Sequence, residues 1–537
     1  MNKKFLLLTL LMALFAPWAA KAQSKLTVCE GTATSNVIPA YVFEYTWKVR
    51  PVCDVDDKWS DKSTFTTTEG PEIIVWDEPG DWPSGEIPPA GADVIIPDNS
   101  IVIIPDDYTA NVGEITMGAG SSIVIEEGGQ LYHTEEVEVI MEMNVPDGYN
   151  AKNSTGWRLF ACPVTTTSLG GDRPIEGTNL NTGTFDLYKF GEGATDGLEW
   201  INYKGTTFAT DPTDIQFSDL VLMEGYLYAN TNQSAGNAMI GYTAPTVSTY
   251  VQYITLSKTA GAEFEGVNLV GNPYTCKAYV SNDNGDMPYY VMNDEGTGFN
   301  TTAVAAGTPI YPMKAVFVMA TTDGEECMFK TIVTRSSKGS LNITVNQGRG
   351  MVDNAILSFG NGNTLEKFQF DPNHTKVYMP VDGIDYAVAN AESNMGEMPV
   401  SFKAEENGRY TLSFNAEEVE FGYLHLIDNM TGNDVDLLAN PSYSFEARTT
   451  DYASRFKLVF VCGDANDDNA FAFYSNGSFV INNEGKATLQ VIDVNGRILK
   501  SESINGCASV NVNAAAGVYM LRLINGDNVK TQKVVVK

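Results

Sequence analysis

After residue 22 the chain contains no long window in which apolar residues recur at the 3.6-residue spacing of a helix. Short alternating runs rich in Val, Ile, Thr, Phe and Tyr lie instead between clusters of Asn, Asp and Gly. Forty-eight Gly and 23 Pro are spread along the whole length. Such clusters end a strand because they supply turn conformations, and Pro cannot donate to a ladder. The pattern predicts an all-β chain, with only short pieces such as 385–393 as candidates for a helical turn. At 537 residues the chain is long enough for several domains, each with its own core. An apolar content of 43% excludes global disorder.

Charge narrows the function classes. Lys and Arg number 34 against 67 Asp and Glu, a net charge of −33. Nucleic-acid binding rests on cations that neutralise phosphates, and anionic lipid attracts basic segments, so neither is expected as a partner. The three histidines, His133, His374 and His425, are scattered, which leaves little for a zinc site or a His-dependent triad. No metal ligands, cofactor-binding residues or catalytic residues are assigned, and no cofactor is expected.

Lys3 and Lys4 precede an apolar run from Phe5 to Phe15, and Ala20-Lys21-Ala22 follows. This is the layout of a secretory signal peptide cleaved between Ala22 and Gln23. The run is short for a membrane span, and no later stretch is long and apolar enough for one. Cys29 is at the wrong distance for lipidation. Seven cysteines, Cys29, Cys53, Cys162, Cys276, Cys327, Cys462 and Cys507, are widely spaced, without a CxxC pair. Export permits disulfides, with Cys29–Cys53 the most local pairing, but small buried apolar side chains are the plainer expectation.

Beyond the signal, residues 23–70 form an N-terminal β segment, with strands expected at 26–32 and 41–47. Residues 71–147 carry short strands at 93–96, 101–104, 114–117, 122–125 and 136–143, separated by tight turns. They resemble the cap and first coils of a β-helix, on the opening Trp76, Trp82 and "IPPAGADVIIP". About 75 residues is room for only a few coils. Residues 148–340 form a β-rich passenger domain. In it "GWRLFACP" from Gly156 and "GVNLVGNP" from Gly266 recur 110 residues apart. The phrase resembles an element of surface-exposed repeats in type IX secretion cargo. Aromatic stretches at 185–190, 226–228 and 289–290 are expected to be core at strand spacing, in preference to a ligand platform. Residues 341–462 read as a β-sandwich spacer resembling the module that often precedes a type IX sorting domain. Residues 463–470 read as a linker. Asp464, Asn466 and Asp468 have the start of a calcium-loop spacing, but Asn469 and Ser475 replace the loop's Gly and Glu.

Residues 471–537 are electrostatically distinct. They hold four acids and seven bases, whereas residues 23–470 hold 63 acids and 24 bases. Alternating strands flank Asn495-Gly496 and Asn525-Gly526, both hairpin signals. In order, "ATLQVIDVNGRIL", "GVYMLRLING" and "VKTQKVVVK" resemble the type A C-terminal sorting domain of type IX secretion, an Ig-like β-sandwich. The resemblance places its motif on Asp493, Gly496, Arg497, Gly517, Tyr519, Lys530, Lys533 and Lys537. It implies export to the periplasm, recognition by an outer-membrane translocon, and removal of the tail by sortase-like machinery. The product is then secreted or held on the surface of a Gram-negative bacterium. Gly517 is expected to need a positive φ, so that Gly517→Val would destabilise the tail.

No nucleophile elbow, HExxH, Walker loop or papain-type context is present. Neighbouring acids occur at Asp106-Asp107, Glu126-Glu127, Glu405-Glu406 and Glu417-Glu418, as expected by chance in so acidic a chain. The passenger is therefore expected to be a non-catalytic adhesion protein binding a glycan or a host protein. The alternative is a secreted glycan-active hydrolase working through carboxylates at ~5–9.5 Å.

Overall fold

The computed structural model describes strands at Glu44–Trp47 and Ser63–Thr66, then residues 72–144, 156–165, 185–194, 198–211, 213–230, 238–244, 251–292, 301–332, 337–391, 395–462 and 471–536. The signal peptide with Ala22 and Gln23, the strand expected at 26–32, Cys29, Cys53, the segment 463–470 with Asp464, Asn466 and Asp468, and Lys537 lie outside these residues. Among the described residues regular structure is strand throughout, apart from one 3-10 turn at Pro79–Asp81. The all-β reading holds.

The first body is a short solenoid. Glu72–Val75, Ser100–Ile104, Ser122–Ile125 and Val137–Met143 stack in parallel. Val94–Ile96 stacks on Ile115–Met117, and Thr109–Asn111 on Gln130–Tyr132. Val94 lies on Ile115, Ile101 on Ser122 and Thr109 on Gln130, an offset of 21 residues each time. Every rung turns one set of apolar side chains inward, and Ile96, Val102, Ile104, Ile123, Ile125 and Leu131 are fully buried. Carboxylates tie successive rungs: Asp93 accepts from the Glu114 amide at 2.9 Å and Asp98 from the Ala119 amide at 2.7 Å.

The expected boundary at 147/148 does not separate two cores. Ala238–Ala244 pairs antiparallel with Val137–Met143, closing the last coil. A single core then runs from Ile74 to Met313. The reason is the open end of a solenoid, whose last strand presents unpaired backbone groups that a later strand must cover.

The two recurring phrases begin two sheets of identical strand order. In the first, Arg158–Ala161, Gly225–Asn230, Phe185–Phe190 and Trp200–Asn202 lie side by side. In the second, Val267–Gly271, Ala315–Met319, Tyr289–Met292 and Thr301–Val304 do so. Each order is first, fourth, second, third in chain sequence. A third four-stranded sheet of Gln252–Thr255, Glu326–Lys330, Tyr279–Asn282 and Gly285–Asp286 shares a core with the second of these.

Residues 337–462 form one continuous path of strands folded over a single core that includes Leu341, Leu357, Val400, Leu412, Leu426 and Phe456. This is sandwich-like, as expected. The helical turn expected at 385–393 is instead the strand Ile384–Ala391, parallel to Gly350–Gly360. Its burial on both faces as a central strand outweighs a weak local preference. The tail packs a three-stranded sheet, Ala472–Ser475, Ser478–Ile481 and Ala508–Asn511, on a four-stranded one, Ile498–Asn505, Lys486–Ile492, Gly517–Asn525 and Asn528–Val536.

Of the seven cysteines, Cys162, Cys276, Cys327 and Cys462 are buried free thiols and Cys507 is a half-buried one.

Candidate sorting motif and buried carboxylate clasps

The two repeats meet at a pseudo-twofold junction. Gly156 and Gly266 open them with φ of 78° and 80°. Met223 and Met313, each two residues before the fourth strand, also have positive φ, at 66° and 57°. A bulky residue in this region is strained and persists only where its surroundings hold it. The surroundings are reciprocal: the Gly271 amide donates to the Met223 carbonyl at 2.9 Å, and the Ala161 amide donates to the Met313 carbonyl at 2.8 Å. A Cβ at Gly271 would lie 2.3 Å from that of Ala161, so the two first strands touch at this point and one must lack a side chain. Asn272 sits beside it, wholly buried, donating to the Cys276 and Ile310 carbonyls at 2.7 and 2.8 Å and accepting from the Tyr274 amide at 2.8 Å.

The flagged aromatic stretches are core. Tyr226, Tyr228 and Tyr290 are fully buried, and Phe190 packs edge-on against Trp200, Phe317 and Phe370. That cluster joins the second repeat to Ile356, Leu365, Phe368 and Val388 of the sandwich.

Carboxylates buried in these bodies act as clasps. Glu127 takes Arg158 and Lys314, the latter at 3.0 Å, together with the Asn144 amide at 2.7 Å. It so ties the solenoid to both repeats. Burial pushes its pKa up, but the two cations and the hydrogen bonds outweigh burial and hold it below the usual range. Glu192 accepts from the Thr259 amide and hydroxyl and the Gly266 amide at 2.6, 2.7 and 2.8 Å, linking one repeat to the start of the other. Asp353 holds Lys367 Nζ at 2.6 Å, Gln369 at 2.9 Å and the Val377 amide at 2.6 Å. Asp428 takes both arms of Arg455 at 3.1 and 2.9 Å, and the Tyr443 hydroxyl at 3.0 Å. The Arg455 guanidinium also lies over Phe445 and Phe456. Burial opposes ionisation of Asp428, yet hydrogen bonds from Arg455, Met430 and Tyr443 leave its pKa lowered.

Several of the neighbouring acids noted in the sequence are engaged by other groups. Glu126 accepts from the Asp106 amide at 3.3 Å, Glu405 meets His374 at 3.2 Å and Glu406 accepts from Gln347 at 2.5 Å. Burial pushes the Asp385 carboxyl upward, and Lys376 partly offsets it. No group of three or more His, Cys, Asp or Glu placed to hold a metal ion occurs among the described residues.

The sorting-motif residues divide in two. Asp493 closes its own turn, accepting from the Asn495 and Arg497 amides at 3.0 and 2.9 Å and from Arg497 Nε at 3.1 Å. The hydrogen bond from the Arg497 amide is the largest influence lowering its pKa. Gly496 supplies φ of 78°. Asn495 is not left-handed and the register slips between Val491 and Ile492, so this is a three-residue loop with a bulge, in place of a two-residue I′ hairpin. Tyr519 is core, packed on Phe479, with its hydroxyl donating to the Ala515 carbonyl at 2.8 Å, four residues upstream. That return bond resembles the tyrosine corner of Ig-like sandwiches. Arg497, Lys530 and Lys533 are exposed. Gly517 is corrected: its φ is not positive, and a Cβ there would meet nothing closer than 3.8 Å. The sequence reading missed Gln532, whose side chain accepts from the Phe471 and Ala472 amides and donates to the Ala472 carbonyl. It pins the start of the tail to the last strand. A lone polar residue between Thr531 and Lys533 gives no local signal of this.

Residues 475–537 match the family model described as the secretion system C-terminal sorting domain. The chain is 20% identical to the minor fimbrium subunit Mfa5 of Porphyromonas gingivalis, over 83% of this chain and 42% of that relative. It thus spans less than half the length of the curated relative it matches. A solved structure titled biofilm associated protein, BSP domain, aligns at 8% identity over 73% of this chain and 97% of its own, with a TM-score of 0.16. That score is too low to indicate a common fold. The tail match, the order of its motif and the all-β passenger together make the chain cargo of type IX secretion, delivered to the outside or the outer-membrane surface of a Gram-negative bacterium.

Proposed function

We propose that the passenger, residues 23–470, is a non-catalytic surface protein that works by binding a glycan or a host protein. The supporting observation is how its buried acids are engaged. Glu127, Glu192, Asp353 and Asp428 each hold two or more donors in joints between strands or bodies. An acid that must donate a proton needs a raised pKa in a partly apolar cleft, and Glu127 and Asp428 are shifted the other way. The relative named as a fimbrium subunit fits a role in adhesion. The tail is the part read by the translocon and sortase-like machinery. Within its motif, Arg497, Lys530 and Lys533 offer contacts, while Asp493, Gly496 and Tyr519 maintain the shape that presents them.

Purified residues 23–470 are to be screened on glycan arrays and matrix proteins, with polysaccharide and peptide turnover measured in parallel. Saturable binding without turnover is expected. Turnover abolished by a single Asp or Glu to Ala change would overturn the proposal in favour of a hydrolase.

A further inference from the structure

The tail docks on the passenger through an apolar face that the passenger's own sequence shows to be doubly covered. In Phe456–Cys462, Phe456, Leu458, Phe460 and Cys462 enter the sandwich core, while Val459 and Val461 point to the opposite face. In Phe421–Asp428, Leu424 and Leu426 point inward, and Tyr423 and Ile427 outward. A strand apolar on both faces must be covered on both. Here the outer cover is the small sheet of the tail. Tyr423, Ile427, Val459 and Val461 form one buried cluster with Val480, and Met395, Phe473 and Cys507 pack at its edge.

The tail's strands alternate to match. Phe479 and Ile481 face the tail's own core, while Val480 between them faces the passenger. The fit is close: a Cβ at Gly422 would lie 2.5 Å from Cys507 Sγ. Polar contacts flank it, with the Ser475 hydroxyl donating to Glu397 at 2.7 Å and Lys457 paired with the same carboxylate at 3.0 Å. The charge balance favours the union, a tail of seven bases and four acids against a passenger of 63 acids and 24 bases.

We infer that the sorting tail is also a cap, which holds an apolar face of residues 395–462 out of water and remains bound there after the chain is cut between 462 and 471. Cleavage of the connection and release of the tail are then separate events, and the face is uncovered only at the second. The inference draws on the type IX reading solely for when the cut is made.

The test uses the full chain with a specific protease site inserted within 463–470. After cutting, the wild-type tail is expected to co-elute with the passenger in gel filtration at micromolar concentration. Binding of a hydrophobic dye should rise only when mild denaturant strips the tail away. Ile427→Glu in the passenger and Val480→Asp in the tail, each placing a charge in the contact, should weaken retention by about a hundredfold. Circular dichroism of the separated fragments checks that each variant still folds; Glu397→Gln, at the exposed edge, serves as a milder second variant with a smaller loss. Separation of the wild-type fragments on the column would overturn the inference. So would retention of both charged variants at wild-type strength with their folds intact. Should the tail dock as described while its deletion leaves export unchanged, the export reading alone fails.

Discussion

Passenger and tail use charge in opposite ways. In the passenger the informative charges are inside: Asp428 with Arg455 and Asp353 with Lys367 have side chains 4% exposed or less. They join strands that the apolar core alone would leave with unmet polar groups. In the tail the bases are outside, on the strand Asn528–Val536 and at the turn after Asp493, where their removal should leave the fold standing. Position, more than net charge, therefore separates a structural ion from one that a partner can read. The tail lacks tryptophan, and all seven tryptophans precede residue 201. Tryptophan fluorescence thus reports the solenoid and first repeat, apart from the sandwich and the tail.

The sharpest way to break this contrast is to remove one buried cation. Arg455→Ala should destabilise the sandwich by about 3–5 kcal/mol, because Asp428 is left as an unpaired buried charge. Lys533→Ala in the tail should change stability by less than ~0.5 kcal/mol while reducing surface delivery. Urea melts and surface labelling of both variants make the comparison. Equal losses of stability would erase the distinction.

Crowding gives the next largest effect. Gly271→Val places a side chain against Ala161 where two strands touch and should cost about 1–3 kcal/mol or more. Gly517→Val in the tail meets nothing closer than 3.8 Å, without a positive φ, and should cost less than ~0.5 kcal/mol. Gly496→Ala lies between, at about 1 kcal/mol, because only Gly takes its φ freely. A ranking with Gly517 highest would contradict the backbone described.

Acid supplies the mildest probe. The carboxyls of Glu127 and Asp428 have folded pKa values below their unfolded ones. Their stabilisation is therefore complete above the unfolded pKa, near ~4, and is lost as pH falls through the folded pKa. Passenger stability followed by urea melts read by far-UV circular dichroism should drop below about pH 4, and Asp428→Asn should flatten that dependence. An unchanged pH profile in Asp428→Asn would remove the clasp as the cause.

The tail was legible because its signals are local: turn residues at fixed places between alternating strands, ending in Val534, Val535 and Val536. The paired phrases at Gly156 and Gly266 were also legible, since a Pro stops each strand. The 21-residue rung was harder to see. Stacked positions share backbone geometry, not chemistry, so Ile101 lies on Ser122 and Val94 on Ile115. That Ala238–Ala244 closes the solenoid could not be read, because nothing in seven residues names a partner a hundred positions earlier. The buried clasps escaped for the same reason: Arg455 and Asp428 are ordinary polar residues until folding brings them together. "LVFVC" at 458–462 is apolar at every position, which calls for cover on both faces.

The central claim is that residues 471–537 are an address carried by a passenger that folds without it. The direct measurement is localisation of the full chain and of a chain ending at residue 470, each expressed in a host with an active type IX system and detected by surface protease accessibility and periplasmic fractionation. The account predicts the full chain outside the cell and the shortened chain folded but trapped in the periplasm. Arrival of the shortened chain at the surface at the level of the full chain would contradict it.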